Sequence, residues 1–471
     1  MEDIHDIPAL ISAVPDMVWP GMPGKDGIYV LSLLQQLEHT QYWPAEKLRA
    51  MQFRQLETLL RQAWRSTPFY RERLNSLTLD GRFRMTEDIL REIPVLTRED
   101  IQSAGPALNS TRLRREHGKT SVLKSSGSTG KPVEVLTTGL AGTFWKAFSI
   151  RGHFWHQRDL SKKVAAIRKL EDGKALYPKG GLSNFWSPDL KGLYPTGPCA
   201  VLNITTPLEQ QAEWLQRQKA QYLSSVPTNI FALARHCIEH KIKLPDLMEV
   251  RTLGEALRPE LRNLCREAWG VEVVDLYSCQ EIGHIALQCP DHEHYHVHAE
   301  RILLEILDEQ GNSLGPGKMG RVVITDLHNF ATPLIRYEVG DIGELGEPCS
   351  CGRTLPVLKR VLGRFRNMLL MPSGGLKYPI FGYDGYTDII PIKQFQFVQK
   401  TLDMIEVRLV TERRMDMAEE TRFGDLIRKR LAHPFHVTFS YHEEIPRSVS
   451  GKFEDFVSEV NTAFADKPTA G

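Results

Sequence analysis

The chain has no run of about eighteen consecutive apolar residues, the length needed to cross a bilayer as a helix, so no membrane span is expected. It has little net charge: 59 Lys and Arg against 58 Asp and Glu leave +1. That balance excludes a general electrostatic attachment to nucleic acid or to a membrane surface. Cysteine is sparse and odd in number, 7 in 471 residues, which excludes a disulfide framework. The opening MEDIHDIPAL is acidic and lacks the basic and apolar blocks of a signal peptide, so a cytoplasmic protein is expected. Internal repeats and low-complexity tracts are also missing. With 41% hydrophobic residues, the chain can build the cores of two or more domains.

Periodicity sets out the elements. Apolar residues at helical spacing run from Pro44 through AEKLRAMQFRQLETLLRQAWRS, and Thr97 followed by acids marks another helix start. LEQQAEWLQRQKA from Leu208 is helical. QYLSSVPTNIFALARHCIEH and VRTLGEALRPELRNLCREAWG each give a strand, a turn and a helix. VEVVDLYSCQEIG is a buried strand running into a loop. From Ala299 the texture turns to β, with Gly-Asn and Gly-Pro-Gly turns, and the tail mixes both signals. Strands alternating with helices in the middle predict α/β layers, with a β-rich part and an α+β tail. Pro and Gly cluster between Leu176 and Cys199, a long loop region of the kind that often carries function.

Within this frame, SSGSTGKPVEV (Ser125–Val135) reads as a tight loop between two strands. Gly127 and Gly130 free the backbone, Ser125, Ser126, Ser128 and Thr129 add hydroxyl donors, and Lys131 adds charge. Two readings stand: a phosphate cradle, or a solvated hairpin turn of the sort Gly/Ser clusters usually make. The usual G-x-x-x-x-G-K-[ST] loop is absent, because Ser125 replaces its first Gly and Pro132 follows the lysine.

Further stretches tilt the balance. LGEAL from Leu253, YSCQE with Tyr277 and Glu281, RYEVGD with Asp341 in a polar turn, GRFRN with Arg364 in a Gly-Arg turn, and PRSVSGK with Lys452 follow one another in order. Together with the loop they resemble the signature motifs of the adenylate-forming superfamily, which holds the acyl-CoA synthetases and the nonribosomal peptide adenylation domains. FYRERL followed by IPVLTREDI, and TPLIRYEVGDIGEL followed by CSCGRTLPVLKRVLGR, resemble its phenylacetate-CoA ligase-like branch. Coenzyme F390 synthetases and capsule-biosynthesis proteins share that branch.

The resemblance implies a large N-terminal domain of layered α/β sheets with a β-rich subdomain, residues 1–363. A small mobile α+β C-terminal domain, 364–471, would carry the catalytic lysine. It implies ATP-dependent adenylation of a carboxylic acid with release of pyrophosphate, then acyl transfer to a thiol. Coenzyme A is the expected acceptor. A carrier-protein phosphopantetheine, an amine, nucleotidyl transfer in the F390 style, or a non-catalytic relative remain as alternatives.

The residues match the roles as follows. The loop 125–131 would hold the β- and γ-phosphates, and Gly254, Glu255 and Ala256 would lie on the adenine side. Tyr277 would stack on adenine beside Ser278, Asp341 would accept the ribose hydroxyls, and Arg364 would contact the ribose. Glu281 would hold Mg²⁺, and Lys452 would bridge the two substrates. Three departures stand out: Arg366-Asn367 where the family has two aspartates, Ser278 and Gln280 for Gly and Thr, and Val133-Glu134 where Lys and Gly usually follow the proline.

Ser225, Pro227, Phe231 and Leu253 are candidates for the acyl pocket, and their apolar or small character favours an aryl or other apolar acid. Cys289 precedes Cys349-Ser-Cys351 by about sixty residues. A Cys₃His zinc site would be closed and structural. Relatives carry the histidine seven residues after the first cysteine, which here is His296, with His292 and His294 as alternatives. Relatives are often homodimers, but the sequence shows no interface.

Overall fold

A computed structural model describes residues 9–77, 79–80, 82–124, 133–364, 369–373, 376–377, 385–386, 388–446 and 456–460. The chain divides into two compact units, Met1–Val361 and Leu362–Gly471.

The first unit is organised by one twelve-stranded sheet. At its centre five strands run parallel: Glu272–Cys279, Glu249–Leu253, Tyr222–Ser225, Val164–Arg168 and Cys199–Asn203. Helices Leu208–Gln218, Pro227–Glu239 and Pro259–Trp269 make the crossovers. Two of them begin with proline in the first turn, where its missing N–H costs nothing. Pro259–Trp269 ends at Gly270, whose φ of +72° provides the left-handed cap.

Strand residues alternate between faces. Ala165, Leu202, Leu223, Val250 and Val273 bury one face under these three helices, with Trp214 and Leu233. The opposite face meets helices Lys25–Thr40 and Gly139–Trp155 through Val164, Cys199, Tyr222 and Phe148.

Beyond Glu272–Cys279 the sheet becomes antiparallel and continues through Gly283–Gln288, Tyr295–Val297, Val357–Arg364, Tyr337–Leu345, Met319–Asp326 and Ile302–Leu307. The β-rich segment is therefore an extension of the central sheet, not a separate layer. Helix Ala45–Ser66 covers it with Leu56, Leu59 and Leu60. Buried Arg301–Asp326 and Arg336–Glu305 pairs, at 2.6 Å and 3.0 Å, brace it.

The second unit holds a four-stranded sheet in the order His436–Tyr441, Met404–Thr411, Ile392–Thr401, Phe456–Ser458. Helix Met417–Leu431 starts on an Asp416/Glu419 capping box and buries Phe423 and Ile427 against Phe395 and Phe397. No described helix is long and apolar enough to cross a membrane.

Candidate active site and metal centre

The central strands end together, and the chemistry-bearing residues gather at those ends. Strand Glu249–Leu253 stops at Gly254, whose φ of +85° turns the chain sharply. Glu255 follows, and its carboxylate accepts the Thr228 backbone N–H at 3.0 Å, in the first turn of helix Pro227–Glu239. Negative charge there complements the helix dipole. Ala256 comes next and is half-buried.

One strand over, Glu272–Cys279 carries Tyr277 and the half-buried Ser278. The Tyr277 ring is 8% exposed, and its hydroxyl donates to Asp341 Oδ2 at 2.8 Å. Glu281 lies just past the strand, 6% exposed, with Oε1 3.6 Å from Arg98 Nη1. Arg98 opens helix Arg98–Ala104, whose Thr97/Asp100 capping box is the one its sequence announces.

Two residues expected in turns belong to strands. Asp341 lies inside Tyr337–Leu345, at a bulge where Arg321 pairs with Ile342 but Val323 pairs with Glu338. Gly340, at φ +84°, makes that bulge, so the local signal of a turn was genuine although the chain stays in the sheet. Arg336 leads into this strand at φ +51°, held by Glu305 and by the carbonyls of Arg91 and Ile93. Arg364 is likewise the last residue of strand Val357–Arg364, after Gly363 at φ +87°.

The Ser125–Lys131 loop and Lys452 lie outside the described residues, as does the Arg364 side chain. Both arms of the loop are described. Thr120–Lys124 pairs antiparallel with Glu134–Thr138. Val133 and Val135 sink into the main core. Leu136 donates its N–H to Thr332 Oγ1 at 2.9 Å and accepts from Asn329 Nδ2 at 3.0 Å. The hairpin base is thus tied to NFATPLI, the segment leading to Asp341.

The acyl-pocket candidates divide. Leu253 is exposed at a strand end, 36%. Ser225 donates to the Ile167 carbonyl at 2.6 Å, Pro227 is buried at its helix start, and Phe231 packs on the core under the crossover helices. These three build the helix-covered side of the sheet. On the other face lies a group that sequence reading missed. Trp145 and Ser149 of helix Gly139–Trp155 sit against His284, with the Trp145 ring centre 4.2 Å from the imidazole centre and Ser149 Oγ 3.3 Å from His284 Nε2. Asp189, from the Pro/Gly-rich loop, accepts from Trp145 Nε1 at 3.1 Å. Gly283 permits this approach, because a Cβ there would lie 2.9 Å from the Trp145 ring. Burial drives the His284 imidazole down to about 3, so it is neutral. Its only sequence signal was the glycine following Glu281-Ile282.

Away from the strand ends, Cys289, His296, Cys349 and Cys351 bring one ligand atom each to within 4.8 Å of the others. Cys289 and Cys349 sulfurs are 3.8 Å apart, and Cys351 Sγ is 3.3 Å from His296 Nε2. Tetrahedral zinc with Zn–S bonds of about 2.3 Å requires sulfurs roughly 3.8 Å apart. His296 Nδ1 lies 3.3 Å from the Leu355 carbonyl, which fixes the proton there and leaves Nε2 as a donor toward a metal. The Cys351 N–H points at Cys349 Sγ at 3.4 Å. Of the three candidate histidines, the structure brings His296 into the cluster, whereas His292 meets Ser350 at 2.9 Å. Burial pushes the Cys289 thiol up to about 12, a cost that a bound cation would remove.

Comparison with known proteins agrees with this architecture. Residues 386–459 match the model of the CapK C-terminal domain. A phenylacetate-coenzyme A ligase of Thermus thermophilus is 29% identical over 70% of this chain and 73% of its own length. The Staphylococcus aureus protein CapK is 22% identical over 82% and 84% respectively. The crystal structure of a 2-hydroxyisobutyryl-CoA ligase in the postadenylation state shares the fold, with a TM-score of 0.66 at 17% identity, over 91% of this chain and 94% of that one. By motif order, fold and these relatives, the chain belongs to the adenylate-forming superfamily, in its phenylacetate-CoA ligase-like branch.

Proposed function

We propose that the protein is an AMP-forming acid–thiol ligase. One oxygen of a carboxylate attacks the α-phosphorus of ATP, the bond from that phosphorus to the β-bridging oxygen breaks, and pyrophosphate leaves. A thiolate then attacks the acyl carbon of the adenylate and AMP departs. Coenzyme A is the acceptor, and the acid has an aromatic or otherwise apolar body.

The observation that carries this reading is that Gly254–Ala256, Tyr277 and Glu281 lie at or just past the C-terminal ends of two neighbouring strands, where open α/β sheets bind nucleotides, with Asp341 hydrogen-bonded to Tyr277. Tyr277 donates to one oxygen of the Asp341 carboxylate at 2.8 Å, and that carboxylate is the group that accepts the ribose hydroxyls. Glu281 supplies a hard oxygen for Mg²⁺ beside the α-phosphate. The Ser125–Lys131 loop holds the β- and γ-phosphates. Lys452 supplies the positive charge that two approaching anions require, and Arg364 adds a ribose contact. The Cys289/His296/Cys349/Cys351 set takes zinc as a closed, structural site.

The test is pyrophosphate release with ATP, Mg²⁺ and a panel of carboxylic acids, each with and without CoA. Release that rises with CoA supports the ligase. CoA-indifferent release from one acid reassigns the acceptor to a carrier protein, an amine or a hydroxyl. Lys452→Ala should lower adenylation by at least ~100-fold while the circular dichroism spectrum stays unchanged. Full activity in that variant removes the lysine from the mechanism.

A further inference from the structure

Arg251 occupies the middle of strand Glu249–Leu253. Val250 points into the core under the crossover helices, and Thr252 donates to Asp275 at 2.6 Å on that same side. Arg251 therefore points to the opposite face, with Glu249 and Leu253. At the Glu249 level this face is sealed: Tyr222, Val164 and Cys199 are buried against Phe148, Leu160 and Trp186.

One step nearer the strand ends it opens. Val274, Arg251, Ser224, Ala166 and Val201 stand side by side in register, and all are only half-buried although their strands lie inside the sheet. Small Ser224 and Ala166 leave room above them. The row is the open floor of the face that also meets helix Gly139–Trp155, whose Trp145 and Ser149 lie against His284.

The charges around this floor do not balance. Glu249 is taken by Arg158 at 2.7 Å. Burial first, and the Arg251 and Arg158 charges next, hold the His153 imidazole well below its ordinary value, so it is neutral. Burial pushes the Cys199 thiol up, so it is neutral as well. Among the described residues, no hydrogen bond or ion pair is made by the Arg251 guanidinium. Burial lowers it to about 10, still charged at neutral pH. A half-buried cation with no partner among the described residues is costly to the protein alone and favourable to an anionic ligand.

We propose that the acid this protein activates carries a second anionic group, distal to the reacting carboxylate, which pairs with Arg251 on this open floor. Arg251 is two residues, about 7 Å, below Leu253 at the strand end. That depth suits a dicarboxylic acid with a benzene ring or a short aliphatic chain between its acid groups. The inference rests on the acyl-adenylation reading, and names the far end of the same substrate.

Matched acids test it: terephthalate against benzoate, and adipate against hexanoate. Each is followed by pyrophosphate release with the full-length protein and, separately, by calorimetric titration without ATP. The diacid of at least one pair should be preferred by ~30-fold or more in kcat/KM, and should bind correspondingly more tightly. Arg251→Gln should collapse that ratio toward unity, and Arg251→Lys should restore part of it. Diacids that bind and react no better than their monoacid partners overturn the inference with wild-type protein alone. Tight diacid binding that depends on Arg251, without pyrophosphate release, sustains the anion site and sinks the adenylation reading instead.

Discussion

At the residue scale the site separates into groups that touch substrate and groups that aim them. Asp341 would meet the ribose directly, whereas the hydroxyl of Tyr277, whose ring is expected on the adenine, would act through Asp341 by its 2.8 Å hydrogen bond. Hydrogen bonds to a charged partner contribute about 1.5–3 kcal/mol each, and neutral ones about 1 kcal/mol. Asp341→Ala should therefore raise the KM for ATP by roughly 10- to 100-fold. Tyr277→Phe, which keeps the buried ring, should raise it only several-fold. Nucleotide titrations of pyrophosphate release would rank the two. A larger effect from Tyr277→Phe would mean that its hydroxyl, and not Asp341, makes the main contact. Glu281 gives a sharper contrast: Glu281→Gln keeps the shape but loses the charge, so activity should fall about 100-fold or more and not recover at saturating ATP.

Elements hold these side chains by local rules that can be checked one at a time. The Thr97/Asp100 capping box fixes the first turn of helix Arg98–Ala104, and so the approach of Arg98 to Glu281. Thr97→Ala should cost about 1 kcal/mol of stability in urea melts. Gly197→Ala should cost more, because a Cβ there would lie 2.3 Å from the Ser161 carbonyl oxygen and 2.2 Å from that of Lys162. The Cys289/His296/Cys349/Cys351 cluster would be the other brace once it holds a metal. Protein purified without added metal should contain close to one equivalent of zinc. Cys349→Ser should lose it and lower the melting temperature, because closed zinc sites contribute directly to folding. Less than a tenth of an equivalent in the wild type would end the zinc assignment.

Much of this was legible from sequence because the signals are local. The Thr97 cap, the strand–turn–helix repeats around Val226 and Gly254, and the spacing from Cys289 to His296 all lie within a few residues. What escaped reading depends on distant pairings. Asp341 looked like a turn residue because Gly340 is one locally, but a bulge against Arg321–Val323 keeps it in a strand. Ser225 looked like pocket lining because no local rule says which face of a strand meets helices. Arg251 gave no signal at all, since an isolated arginine between Val250 and Thr252 becomes unusual only when the sheet packs and its neighbours prove to be neutral or already paired.

On the scale of the whole molecule, the packing on this face of the sheet also makes the fold sensitive to acid. Burial is the leading cause in every case: His156 and His284 are driven down to about 3 and His328 to about 4, and His153 and His298 are lowered well below the ordinary value. Arginines nearby reinforce the effect, Arg158 on His156 and Arg301 on His284. In the unfolded chain each imidazole takes up a proton near pH 6.5. Between about pH 6.5 and 4 the unfolded state therefore binds more protons than the folded state, and stability falls as pH falls. Each fully shifted histidine contributes about 1.4 kcal/mol per pH unit in that window, so His156, His284 and His328 together give a slope of about 4 kcal/mol per unit. Asp189, Asp275 and Glu305, whose carboxyls burial holds above their usual range, oppose this slope toward its acid end. Urea midpoints taken at pH 7, 6 and 5 should thus drop most steeply between 6 and 5. His328→Asn should flatten the drop by about a fifth, its share of the five histidines. A midpoint unchanged from pH 7 to 5 would show that these imidazoles reach water in the folded protein, and that the face between helix Gly139–Trp155 and the sheet is looser than its packing implies.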